Sequence, residues 1–112
     1  MAQYPADIGI QQLSPHSVEA EEAVLGAIMI NPEALFEVLP FLRAEDFFVV
    51  RHQWIWDALI RIHERRDPLD YLTLVSELEQ GGKLAETGGA AYILSLINKT
   101  PSALNIEGYG RI

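Results

Sequence analysis

The chain has 112 residues, of which 49% are hydrophobic and 21% are charged, and its net charge at pH 7 is -8. This apolar content excludes an intrinsically disordered segment, and the length fits a single domain. Eight basic residues against sixteen acidic ones disfavour a DNA-binding surface, because phosphate contacts need clustered Lys and Arg. The chain has no cysteine, which excludes disulfides, thiolate nucleophiles and cysteine-based metal sites.

Signals for membrane insertion or export are not found in the sequence. No apolar run is long enough to span a bilayer. The first fifteen residues lack the basic start and the apolar stretch of a signal peptide. These features favour a soluble cytoplasmic domain that does not contact a membrane.

The first part of the chain predicts an arm followed by two helices. Residues 1–14 show no helical or alternating period, and we interpret them as a flexible N-terminal arm. Ser17 is expected to cap the first helix, since its hydroxyl can accept from free backbone amides. Asn31 and Pro32 end that helix and are expected to begin the next, as N-cap and first helical residue.

The middle of the chain contains the strongest helical pattern. Residues 44–48 predict a short turn that delivers Phe47 and Phe48, because the run is too short for a strand and has no partner. Residues 52–64 are apolar on almost every helical face. Such a helix is typical of the centre of a bundle or of a surface shared with a partner.

The last part of the chain predicts further helices. Asp70 is expected to cap one that the glycine pair at Gly81 closes, and residues 90–98 form another. Residues 105–112 resemble the start of a helix with no stop signal, so we expect a domain cut from a longer protein. The pattern as a whole predicts an all-α fold, a compact head of five to seven helices.

No group of residues in the sequence supports catalysis. Gly82 opens a glycine–lysine pair, but Leu84 follows it where a phosphate-binding loop needs Ser or Thr. The sequence has three histidines on separate elements: His16, His52 and His63. Isolated histidines are more often caps or core partners than zinc ligands. The close carboxylate pairs suit a solvated surface, so we expect no catalytic, cofactor-binding or metal-binding residue.

The aromatic residues are the better candidates for partner contacts. Trp54 and Trp56 are two positions apart and cannot face the same way on a helix, so one of them is a candidate for an interface. Together with Phe47 and Phe48 they are interpreted as core or dimer contacts. Tyr92 has a polar tip beside a mixed helix face, which suits an interface and equally suits the edge of a core.

Several short motifs stand in a characteristic order along the chain. They are PHSVEAE (15–21), VLG (24–26), NPEA (31–34), EDFF (45–48), DPLD (67–70), GGKL (81–84), GGAAY (88–92), PSA (101–103) and YGRI (109–112), with His52, Ile55, Thr73 and Asn105 between them. Their order over residues 14–112 resembles the N-terminal domain of bacterial replicative DNA helicases of the DnaB type. The sequence departs from the family pattern at four positions: Glu22 replaces Gln, Phe48 replaces Tyr, Arg66 replaces Gly, and Leu104 interrupts Ala-Ala-Asn.

The resemblance implies a non-catalytic domain at residues 15–112 of an ATP-driven helicase. A helical hairpin and a RecA-like ATPase domain would follow, and ATP and Mg would belong to that motor, so this fragment is expected to hold no cofactor. The family's domains dimerise and assemble as a trimer of dimers in the collar of a hexamer. They bind the C-terminal domain of primase and can engage a helicase loader, in the bacterial cytoplasm.

The resemblance also makes Tyr92 and its helix the candidates for a partner-facing surface. Two other interpretations stay open from the residues alone. One is an unrelated helical adaptor for protein interaction, and the other is a small acidic enzyme or metal binder. A longer chain with a Gly-Lys-Ser/Thr loop would support the helicase, whereas measured metal or nucleotide hydrolysis in the fragment would support the enzyme.

Overall fold

The structure is a computed structural model that describes residues 15–99, with side chains from residue 18 onward. It contains five α-helices: α1 Pro15–Ile30, α2 Ala34–Val38, α3 Val50–Arg65, α4 Tyr71–Gln80 and α5 Gly89–Asn98. Short 3-10 helices at Ala44–Asp46 and Ala85–Thr87 lie in two of the connections. Residues 15–99 contain no strand, so the predicted all-α fold is confirmed. The predicted arm and the predicted helix at 105–112 lie outside the described residues.

Helix α1 begins at Pro15, so the predicted cap at Ser17 is wrong, because the Ser17 backbone already lies inside the helix. Proline suits a first helical position, since its φ is already helical and the first turn leaves its missing N–H without a partner in any case. From Ala20 onward most side chains of α1 are buried, and Leu25 and Ile28 are fully inaccessible. This helix therefore contributes much of the core.

A turn at residues 31–33 connects α1 to α2. The Asn31 side chain accepts a hydrogen bond from the Glu33 N–H at 3.3 Å, and its carbonyl accepts from the Ala34 N–H at 2.8 Å. Asn31 thus caps the segment as predicted. The prediction that Pro32 is the first helical residue is wrong, because Pro32 lies in a turn. The first backbone bonds span three residues rather than four, which makes a tight turn, and α2 begins only at Ala34.

Helix α3 lies at the centre and packs against α1, α4 and both 3-10 helices. Its buried face carries Ile55, Trp56, Leu59 and Ile62. The helix ends at Arg65, and the next residue, Arg66, has a left-handed backbone (φ 65°) and donates its N–H to a carbonyl of the last turn. The next N–H bonds further back, which completes a Schellman motif.

Helices α4 and α5 close the core from the other side. Asp70 caps α4 as predicted, because its Oδ1 accepts from the Thr73 N–H at 2.9 Å. Arg61 and Arg65 of α3 each reach the Glu77 carboxylate of α4 at 2.7 Å. The largest fully buried apolar side chains come from all five helices: Leu25, Ile28, Leu35, Ile55, Leu59, Ile62, Leu74, Leu78, Ile93 and Leu96. Within the described range, no helix combines the length and the hydrophobicity needed to cross a bilayer.

Candidate functional site

Six polar side chains meet where the first halves of α1 and α3 pack near α5. We call them the polar cluster: Glu21, Glu22, Arg51, His52, Tyr92 and Lys99. Helix α1 supplies the adjacent carboxylates Glu21 and Glu22, and α3 supplies the adjacent Arg51 and His52. Tyr92 comes from α5, and Lys99 follows directly after that helix.

His52 is at the centre of the polar cluster and is completely buried. Its Nδ1 lies 2.7 Å from Glu21 Oε1, and its Nε2 lies 2.6 Å from the Tyr92 hydroxyl. The Glu21 carboxylate also accepts from the backbone N–H of Phe48 at 2.6 Å and of Val49 at 3.2 Å. Glu21 therefore ties α1 to the start of α3 and fixes the loop that carries Phe48.

Tyr92 is half-buried, and its hydroxyl lies 3.0 Å from Glu22 Oε2. The Arg51 guanidinium lies over its ring, 4.4 Å from the centroid. Burial raises the pKa of the Tyr92 phenol to about 12, with Arg51 opposing the shift and Glu22 adding to it. Burial would also raise the pKa of Glu22, but hydrogen bonds from Lys99, at 3.0 Å, and from Tyr92 outweigh it and hold that pKa below its usual value.

Gly88 determines where the Tyr92 ring can sit. Its φ is +103°, a conformation that L-residues rarely adopt. A Cβ atom at this position would lie 2.7 Å from Tyr92 Cβ and 3.0 Å from Tyr92 Cγ. The absence of a side chain at Gly88 therefore lets the chain turn into α5 directly beside the ring.

The polar cluster is suited to holding helices together. Glu21 contacts the His52 ring, Glu22 pairs with Lys99, and Arg51 lies over the Tyr92 ring, so the contacts join α1, α3 and the end of α5. Among the residues that the structure describes, no three His, Asp or Glu side chains converge as metal ligands would. The arrangement can fix the position of Tyr92, which stays half-buried.

The structure separates the aromatic candidates into buried and exposed ones. Phe47 and Trp56 are each 3% exposed and pack together, with ring centroids 5.4 Å apart. Trp54 faces another way, partly exposed, with the Lys83 ammonium 4.6 Å from its ring centroid. Phe48 is 52% exposed. The chain thus brings Phe47 and Trp56 together and leaves Trp54 and Phe48 on the surface.

Sequence reasoning missed the polar cluster as a unit. It treated His52 as a core partner but did not identify Glu21 or Tyr92 as its neighbours. One signal was present, because a histidine inside an apolar helix needs hydrogen-bond partners when it is buried. Adjacent carboxylates near the start of α1 and the adjacent Arg51 near the start of α3 were the complementary charges to consider.

A groove of about 440 Å³ lies at the opposite ends of α1 and α3. Met29, Phe36 and Leu69 contribute apolar lining, and Glu33 lies at its edge. Phe36 is 61% exposed, and its ring meets His63 edge-on at 5.4 Å. The domain therefore presents an aromatic surface far along α1 from the polar cluster.

Comparison with known proteins identifies relatives over nearly all of the chain. The family described as DnaB-like helicase N terminal domain matches residues 13–112. The replicative DNA helicase DnaB of Geobacillus stearothermophilus is 40% identical over 102 residues, which are 91% of this chain and 22% of that protein. The replicative DNA helicase DnaC of Bacillus subtilis is 40% identical over 106 residues, 95% of this chain and 23% of that protein. The chain thus spans about a fifth of the length of these relatives.

A solved structure supports the same assignment. The crystal structure of the N-terminal domain of DnaB helicase from Mycobacterium tuberculosis matches with a TM-score of 0.81 and 36% sequence identity. The match covers 84% of this chain and 67% of that one. These similarities exclude the interpretation as an unrelated helical adaptor. The chain belongs to the family of DnaB-like helicase N-terminal domains.

Proposed function

We propose that this domain is a non-catalytic assembly and recruitment module of a bacterial replicative DNA helicase. The observation that carries the proposal is the family match over residues 13–112 in a chain without a nucleotide-binding loop. Unwinding of DNA, with ATP and Mg as cofactors, would belong to a motor domain beyond the matched region. The domain itself would act by binding other proteins in the cytoplasm.

Self-association is the first role in the proposal, as a dimer and then as a trimer of dimers in the collar of a hexamer. Large apolar side chains on several elements are 44% to 75% exposed: Ile30, Phe36, Phe48, Val50, Leu72 and Leu94. A contiguous exposed apolar surface favours burial against another protein, and the proposal places some of these side chains in such a contact. Phe48 and Trp54 are the predicted dimer contacts that remain on the surface.

Recruitment of the primase C-terminal domain is the second role, with a helicase loader as a further partner. Tyr92 supports it because its hydroxyl is held by a polar network, which makes the exposed part of the half-buried side chain a rigid aromatic surface. The net charge of -8 supports protein rather than DNA as the partner.

Light scattering of the chain with and without a primase C-terminal domain tests the proposal. We expect an increase in mass with primase, and we expect Tyr92→Ala to weaken it. Glu79→Ala, an exposed change on α4, is the control and should bind as the parent does. Circular dichroism checks that each variant is folded. No increase in mass at high concentration, or unchanged binding by folded Tyr92→Ala, would contradict the proposal.

A further inference from the structure

The Tyr92 hydroxyl has one proton to place between His52 and Glu22, and the Arg51 guanidinium beside the ring can only donate. His52 Nε2 is 2.6 Å away, and Glu22 Oε2 is 3.0 Å away. Glu22 also pairs with the Lys99 ammonium, so its carboxylate is ionised and can only accept hydrogen bonds. The phenol therefore donates to Glu22, and its oxygen is left to accept a proton from His52 Nε2.

The other nitrogen of the His52 ring faces a second obligatory acceptor. Nδ1 lies 2.7 Å from Glu21 Oε1, and the same carboxylate already accepts from two backbone N–H groups. Since a carboxylate cannot donate, Nδ1 must carry a proton as well. Both ring nitrogens are then donors, which is the state of the imidazolium cation.

The surroundings of the ring can accommodate that cation. Helix α1 contributes Glu21 and Glu22, α3 contributes Arg51, and α5 with the residue after it contributes Tyr92 and Lys99. The loop before α3 adds an apolar phenylalanine ring and the two backbone amides. A buried charge is tolerated when it is paired and hydrogen-bonded, and here Glu21 contacts the ring directly while Glu22 contacts the hydroxyl next to it.

The neutral ring fits this geometry less well. A neutral His52 protonated at Nδ1 would need the Tyr92 proton at Nε2. The Tyr92 oxygen would then face the Glu22 carboxylate at 3.0 Å with no proton between them. Two acceptors in contact repel each other, and the completely buried ring leaves His52 itself no access to water.

We propose that His52 is a positioning residue that is held as a buried imidazolium and turns the Tyr92 hydroxyl toward Glu22. This fixes the orientation of the ring that packs beside Gly88. The consequence for partner binding rests on the proposed function, whereas the protonation state of His52 does not depend on it.

Nuclear magnetic resonance of the chain labelled with ¹⁵N-histidine tests the proposal directly. At neutral pH we expect protons on both ring nitrogens of His52. In Glu22→Gln the amide can donate to the Tyr92 oxygen, the phenol can donate to Nε2, and His52 is expected to hold one proton. Glu37→Gln, an exposed change on α2, is the control and should keep both protons. One ring proton in the parent chain, or identical spectra for the parent and Glu22→Gln, would overturn the proposal.

A pH profile of partner binding separates this inference from the proposed function. Over the pH range in which the spectra show one ring nitrogen of His52 without its proton, the parent chain should lose about tenfold in affinity for the primase domain, the equivalent of one hydrogen bond. Glu22→Gln should show a flat profile over the same range. A flat profile in the parent, while the ring loses its proton, would overturn the positioning role. Absence of binding at every pH contradicts the proposed function, and the ring-proton count then decides this inference alone.

Discussion

The Tyr92 hydroxyl gives the domain an alkaline limit to its stability. Its pKa is raised to about 12, and an ordinary tyrosine titrates near 10, so the fold favours the neutral phenol. A group with a raised pKa contributes stability that is complete below its unfolded pKa and is lost as the pH rises through the folded one. The loss therefore falls between about pH 10 and about pH 12.

Tyr92→Phe is expected to remove this loss while lowering stability at neutral pH by about 1 kcal/mol, the usual value of one hydrogen bond. Urea unfolding at neutral and alkaline pH measures both effects. Tyr71→Phe changes a half-buried tyrosine elsewhere and should leave the alkaline decrease in place. An alkaline decrease of the parent's size in Tyr92→Phe would show that another group causes it.

Arg66 adopts a backbone conformation that suits glycine. Its φ of 65° ends α3, and an L-residue in the left-handed region is strained by roughly 1–2 kcal/mol. Arg66→Gly removes the strain but adds freedom to the unfolded chain, so we expect a net gain of about 0.5–1 kcal/mol. Arg66→Ala removes the same charge without relieving the backbone and should not be stabilised. Chemical denaturation decides this, and equal stabilities of the two variants would contradict the explanation.

Some residue-scale features could be predicted from sequence, and others could not. The cap at Asp70 was predictable because its acceptor and donor are three residues apart. Tyr92 was identified as a candidate, but its bond to His52 joins residues forty positions apart, and its bond to Glu22 spans seventy. Such partners follow from how α1, α3 and α5 pack, which local patterns do not specify.

At the scale of elements, α2 is short enough that one residue anchors it. Leu35 is fully buried, whereas its neighbour Phe36 is 61% exposed. Leu35→Ala should cost about 2–5 kcal/mol, because it leaves a cavity in the core. Phe36→Ala should change stability by about 0.5 kcal/mol or less, as surface substitutions do. Urea unfolding measures both, and a comparable loss in the two variants would mean that the groove side of α2 is also part of the core.

The helices were predicted well where their apolar stripes are long. The pattern at residues 52–64 became α3, Val50–Arg65, and residues 90–98 became α5, Gly89–Asn98. Helix starts were less predictable, since Ser17 is a good cap in isolation but Pro15 begins the helix. Local propensity allows a helix to start at any of several neighbouring residues, and tertiary packing determines which of them is used.

At the scale of the whole molecule, carboxylates set the acid limit. Hydrogen bonds from Arg61, opposed by burial and reinforced by Arg65, lower the pKa of Glu77 below its usual value. A lowered pKa contributes stability that is present above the unfolded value and lost as the pH falls through the folded one. The domain should therefore become less stable in acid, below about pH 4.5, as Glu77 and Glu22 are protonated.

Glu77→Gln is expected to lower stability at neutral pH and to make the acid decrease shallower. Glu79→Gln, an exposed change on the same helix, is the matched control and should behave as the parent does. Thermal unfolding across acid pH measures the difference. A decrease as steep as that of the parent would show that Glu77 does not contribute to the acid limit. Added salt should weaken the Glu77 effect, since both arginines are about half exposed.

Composition and periodicity were sufficient for the fold class of the molecule, because an apolar chain with helical stripes and short connections has few other solutions. Composition and periodicity did not predict which large apolar side chains are exposed. Phe36 and Phe48 have apolar neighbours in sequence, as Phe47 does, yet only Phe47 is buried. Which of them faces outward depends on the angles between helices. The apolar pattern of one helix does not determine those angles.

Gly88 has a consequence for how inherited variants of this domain would be interpreted. Any side chain at Gly88 would collide with Tyr92 and would require a strained backbone. A substitution at Gly88 would therefore displace the Tyr92 ring, four positions away. Under the proposed function, a genetic screen for lost association would return alleles at Gly88 although that residue need not touch a partner. Suppressors should then map to residues that give the displaced ring a new place, and not to the partner's surface.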